Sequence, residues 1–211
     1  MPAPRRGAWP QLCVANGGEA AFPGSIRSGR GACRSWRGIA TCIMTVLKYF
    51  AYGSNLHPLR LQQRVPSARP VAPVALPGWR LHFHKRGSDG SAKCNVIETH
   101  DPADRVHGVV YAMVAREKPA LDRAEGLGFG YQLQRLRLPP HGEIFFYVAA
   151  ASHIDDSLQP FSWYKAYVVE GARFHGLPAS YIGAIEQAAA MADCDFQRQR
   201  DNIRLLWRLS R

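Results

Sequence analysis

Apolar and polar positions along the chain change period several times, and those changes mark out the elements. TVLKYFAY (45–52) is β-branched and aromatic and stops at Gly53, which reads as a strand. HPLRLQQRV (57–65) reads as a short helix, with Pro58 in its first turn and Ser54 or Asn55 available as a cap. ARPVAPVALPGW (68–79) holds too many prolines for a central strand and reads as an edge or a loop. RLHFHKRG (80–87) alternates Leu81 and Phe83 with His82 and His84. Lys85 and Arg86 follow, so the histidine side is expected to face solvent. GSDGSAKCN (87–95) reads as a long polar loop. DRVHGVVYAMVA (104–115) is the strongest strand pattern, and YQLQRLRL (131–138) and EIFFYVAAA (143–151) add two more. EKPALDRAEG (117–126) reads as a short helix stopped by Gly126, and residues 162–176 and 178–192 as longer ones. A basic C-terminal helix should turn Leu205, Leu206 and Trp207 inward. Strands come first and helices cluster late, which is the order of an α+β fold, a small sheet or barrel with peripheral helices.

Charge alters this picture mainly at one end. The 211 residues carry a formal charge of +11, but residues 1–43 hold six arginines against the single acid Glu19, so the remainder keeps +6. That segment has no helical or alternating period and is rich in Gly, Pro, Ser, Ala and Arg. It reads as a disordered arm, a transit-like peptide, or sequence upstream of a true start at Met44. The last reading is favoured, because a strand begins directly after Met44. Two regions follow from this division: an extension, 1–43, and a folded domain, 44–211.

The basic charge invites a nucleic-acid reading, yet the body interleaves no aromatics with Lys/Arg in a recognition motif. No apolar run reaches the roughly 20 residues of a membrane-spanning helix. Cys94 and Cys194 alone fall in the body, without C-x-x-C spacing, which argues against a disulfide framework or a zinc site and for a cytoplasmic setting.

Two stretches carry candidate chemistry. The corner Tyr52-Gly53-Ser54-Asn55 lines up backbone N–H groups as strand gives way to helix, a nest that attracts anionic oxygens; the plain alternative is a capped strand-turn-helix corner. Glu125 falls four residues after Leu121 and beside Ala124, on the face expected to point inward, with Asp122 and Arg123 turned to solvent. Burial and the negative end of the helix dipole disfavour a charged carboxylate there, which makes a better proton acceptor. No basic partner for it is visible in the sequence. The histidines show no metal-binding spacing, Ser54 lacks a nucleophile motif, and Cys94 sits in an apparent polar loop with no activator.

Four blocks in order give a family resemblance: YFAYGSNL (49–56), RVHGVVYAM (105–113), LDRAEG (121–126) with Tyr131 following, and YKAYVVEGARFHGLPASYI (164–182). Together they resemble the γ-glutamylcyclotransferases. The resemblance implies a small mixed β-barrel with helices around it. It implies that Tyr49, Phe50, Ala51, Tyr52, Gly53 and Ser54 hold the glutamyl head of a substrate, with Asn55 shaping the loop. It further implies that Glu125 is the catalytic carboxylate and that Tyr164 lines the pocket. The expected reaction closes a γ-glutamyl amino acid or amine to 5-oxoproline, without metal or organic cofactor. A tailoring enzyme for a larger γ-glutamyl metabolite, or a non-catalytic γ-glutamyl binding module, are the alternatives. The implied partner is a small γ-glutamyl molecule rather than nucleic acid or membrane, with a homodimer left open.

Overall fold

The computed structural model of the chain describes residues 45–209. The expectation for residues 1–43 therefore lies outside the described residues. Among the described residues, seven strands form two sheets. In the first, β1 (Val46–Ala51) is central, between β5 (Arg105–Val114), antiparallel to it, and β7 (Gly142–Ala149), parallel to it. β2 (Arg69–Pro77) and β6 (Tyr131–Leu138) are the edges, giving the order β2-β5-β1-β7-β6. The proline-rich stretch is thus an edge strand, where Pro70, Pro73 and Pro77 interrupt only one ladder.

The second sheet is a ribbon of β3 (Trp79–Arg86) and β4 (Ala92–Glu98). Half of the expected polar loop is therefore strand. Its turn is held by Asp89, which accepts from the Ser91 amide at 3.1 Å, the Ser91 hydroxyl at 2.9 Å and Lys93 at 2.6 Å. Asn95 and His84, polar in sequence, are both buried. Asn95 Oδ1 accepts from the Ala149 amide at 2.7 Å, and the Tyr131 hydroxyl donates to the Cys94 carbonyl at 2.6 Å. His84 bonds Asn95 at 3.0 Å and Asp156 at 2.8 Å. This corrects the solvent-facing expectation for His84, whose ring is satisfied internally. Side chains, not a ladder, tie the ribbon to the sheet, so the barrel stays open among the described residues.

Helices cover this frame. α1 is Pro58–Gln62 and α2 is Lys118–Glu125, the latter closed by Gly126 in a left-handed conformation (φ 69) as its sequence predicts. α3 (Ser162–Phe174) packs on the segment after β1 through Gly171, where a Cβ would lie 2.5 Å from Leu56 Cβ and 2.7 Å from the His57 nitrogen. α4 (Ala179–Gln187) is shorter than its alanine run suggests, because Ala188 adopts φ −57, ψ 131. α5 (Phe196–Leu209) half-buries Leu205 and Leu206 and buries Leu209, whereas Trp207 is 67% exposed. Residues 205 and 209 share a face; 207 lies about 200° around from 205, which corrects its inward placement. No described helix is long and apolar enough to cross a membrane.

Candidate active site

β1 ends at Ala51 and the chain turns at once: the Leu56 amide donates to the Gly53 carbonyl at 2.9 Å. Among the described residues, no acceptor meets the amides of Gly53, Ser54 or Asn55. α1 is capped by His57, whose Nδ1 accepts from the Leu59 amide at 3.2 Å, not by Ser54 or Asn55. The Asn55 side chain is thereby left for another task. Asn55 is buried, and its Nδ2 donates to Glu125 Oε1 at 2.7 Å and to Tyr49 Oη at 3.2 Å. Arg64, just past α1, reaches both partners: its Nη1 lies 3.0 Å from Glu125 Oε1 and 3.0 Å from Asn55 Oδ1. The carboxylate expected to lack a basic partner has one. Sixty-one residues of sequence separate them, so no local pattern signals the pair.

Glu125 and Leu121 do share a face of α2, but Ala124 is exposed, and Asp122 is not turned away. Asp122 accepts from Tyr147 Oη at 2.6 Å and from Lys118 at 2.6 Å. These contacts anchor the last turns of α2 against β7 and so fix where Glu125 stands.

Glu125 and the 52–55 corner face one cavity of about 300 Å3 counted to its open mouth. Its wall is completed by Cys94 from β4 and by four phenols, Tyr49, Tyr131, Tyr147 and Tyr164. Tyr164, at the start of α3, accepts from the Cys94 amide at 3.0 Å while Tyr131 holds the Cys94 carbonyl, so the backbone is clamped on both sides of the Cys94 Cα. Gly53 lies against it: a Cβ there would sit 3.0 Å from Cys94 Cβ. Phe50 and Ala51 do not line the cavity. Phe50 is in the core, edge-on to Phe146 at 6.0 Å and packed over Gly108, and Ala51 is fully buried. Alternation along β1 accounts for Phe50, whose side chain takes the face opposite that of Tyr49. Cys94, Tyr131, Tyr147 and Arg64 are the lining and supporting residues that sequence reasoning did not assign to the site.

Burial shapes the chemistry of this wall. It pushes the Tyr49, Tyr52, Tyr131, Tyr147 and Tyr164 phenols above their ordinary range, and the Glu125 charge adds to the rise at each. All five remain neutral hydrogen-bonding groups at physiological pH. Burial likewise raises the Cys94 thiol to about 12, so no thiolate nucleophile is present near neutrality. A larger cavity, about 1200 Å3 counted the same way, lies between β3 and α4. Its one lining acid, Asp156, is bonded to His84. Chemistry gathers in the smaller cavity.

A single carboxylate, bonded to an asparagine and an arginine, thus shares a small cavity with the corner at residues 53–55, whose amides are open among the described residues. Comparison with known proteins identifies the family. The AIG2-like family profile matches residues 105–185. The γ-glutamylcyclotransferases of Homo sapiens and Bos taurus are 31% and 30% identical over 138 residues, which covers 63% of this chain and 73% of each relative. Among solved structures, a γ-glutamyl cyclotransferase superposes with a TM-score of 0.68 at 23% identity, covering 78% of this chain and 99% of its own. A Homo sapiens protein described as uncharacterized gives 0.64 at 25% identity, covering 75% and 98%. The chain belongs to the γ-glutamylcyclotransferase family.

Proposed function

We propose that the chain converts γ-glutamyl amino acids to 5-oxoproline and the free amino acid, with Glu125 as the acid–base group. The observation that supports this most is the placement of Glu125 Oε1, held by Asn55 and Arg64 at the wall of a cavity that residues 53–55, with amides open among the described residues, also line. The substrate's α-carboxylate takes those amides, which fixes its α-ammonium on the Glu125 side. Glu125 accepts a proton, and the freed amine attacks the γ-carbonyl to close a five-membered ring.

Protons balance across the step. Of the three N–H protons on the ammonium, the lactam nitrogen keeps one and the leaving nitrogen gains two, departing as an ammonium. Glu125 relays them. Because nucleophile and electrophile belong to one molecule, positioning supplies much of the rate. The phenols stay protonated and serve as hydrogen-bonding walls, and Cys94 takes no covalent part.

A panel of γ-glutamyl dipeptides incubated with the purified chain, with 5-oxoproline measured, tests this reading. γ-Glutamyl-alanine should be converted. A chain inert across the panel would overturn it.

A further inference from the structure

Against the Tyr131 wall of the cavity stands a cation that the proposed reaction does not use. Lys85 makes no ion pair among the described residues, unlike Lys93, paired with Asp89, and Lys118, paired with Asp122. Its Nζ lies 4.8 Å from the centroid of the Tyr131 ring, one wall of the cavity. Two backbone features put it there. The ribbon register slips at His84: Phe83 pairs with Cys94, and Lys85 pairs with Lys93, so β3 advances two residues where β4 advances one. A bulge of this kind re-aims the side chain that follows it. His84, the extra residue, is pinned by Asn95 and Asp156. The second feature is Gly130, where a Cβ would fall 2.8 Å from both Lys85 Cε and Nζ. Only a residue without a side chain leaves that space to the ammonium. Burial lowers the Lys85 pKa, and the Glu125 charge partly offsets this, which places the two within electrostatic reach.

Inside the cavity the charges are accounted for. Arg64 neutralises Glu125, and the glutamyl head of the substrate takes the amide corner. Lys85, over the Tyr131 ring and within electrostatic reach of Glu125, is the cation left without a partner among the described residues. Resting on the function proposed above, we infer that Lys85 is a specificity residue: its ammonium pairs with the carboxylate of the leaving amino acid, so that γ-glutamyl amino acids are preferred to γ-glutamyl amines. A neutral amine leaves the ammonium unanswered, and a leaving group with a second amino group is repelled.

The test compares kcat/KM for γ-glutamyl-alanine with that for γ-glutamyl-ethylamide, using the full chain and 5-oxoproline release. A ratio within one preparation is independent of the folded fraction. The wild type should favour the dipeptide. Lys85→Met should lower the ratio about 10-fold, through a higher KM for the dipeptide, as expected for loss of one charge-assisted contact. Lys85→Arg should retain most of it. Gly130→Ala, which keeps the charge but occupies its space, should lower the ratio in the same direction. An unchanged ratio in Lys85→Met overturns this inference alone. A wild type that converts neither substrate overturns the proposed function and this inference with it.

Discussion

Gly53→Ala isolates the contact that sets the height of the amide corner. The added Cβ would meet Cys94 Cβ at 3.0 Å, Cys94 Sγ at 3.4 Å and Tyr164 Oη at 3.8 Å. Carbon pairs settle at about 3.5–4.0 Å, so the first contact is too close by roughly half an ångström. Cys94 cannot simply retreat, because its amide is bonded to Tyr164 and its carbonyl to Tyr131. Gly53 itself is not in the left-handed region, so no backbone strain is added. Overpacking of this kind costs about 1–3 kcal/mol. For a domain of this size that lowers Tm by roughly 2–12 °C. Urea or thermal denaturation measures it, and a double-mutant cycle assigns it. Cys94→Gly removes the offending Cβ and should rescue Gly53→Ala, with a coupling of about 1 kcal/mol or more. Cys94→Ala removes the sulfur but keeps the Cβ, and should rescue it far less. Equal rescue by both, or a Gly53→Ala protein as stable as the wild type, would refute the reasoning.

Arg64→Met removes the guanidinium from Glu125 Oε1 and Asn55 Oδ1 while keeping an apolar stem. It should lower kcat about 10–100-fold by loosening the carboxylate, with circular dichroism unchanged. Unaltered kcat would remove Arg64 from the site. Asp193 is buried under α5, and its hydrogen bonds from Arg198, with that of the Trp163 indole, hold its carboxyl at about 2. A depressed folded value means stability that is complete above about pH 4 and lost as pH falls toward 2. Asp193→Asn should therefore lower the urea midpoint at pH 7 and flatten its decline between those limits. A decline as steep as the wild type's would contradict the assignment.

Much of the frame was legible because its signals are local. The alternation of β5, β6 and β7, the aromatic run of β1 and the Gly126 stop of α2 each need only neighbouring residues. The same holds for the Tyr52–Asn55 corner and for the spacing that sets Glu125 on the Leu121 face. What stayed hidden is long-range. Arg64 meets Glu125 across 61 positions, and Tyr131, Tyr147 and Cys94 converge from three strands. The first residues of β4, 92–95, belong to a stretch that looks like a polar loop in sequence, yet Asn95 is buried with His84 and supplies a bond that a ladder would otherwise make. Trp207 misled for the opposite reason: a large apolar residue suggested burial, while helix geometry gave the inner face to Leu205 and Leu209. Phe50 and Ala51 entered the site through the wording of a motif, and strand alternation takes the Phe50 ring away from the cavity.

The central claim, that Glu125 carries the protons of a ring closure, is tested most directly by Glu125→Gln. Glutamine keeps the shape and can still bond Asn55 through its carbonyl, but it accepts no proton. The measurement is 5-oxoproline release from γ-glutamyl-alanine, run beside a urea denaturation curve for each protein. The account predicts a loss of about 100-fold or more in turnover with a closely similar folding transition. Near wild-type turnover by Glu125→Gln would contradict it.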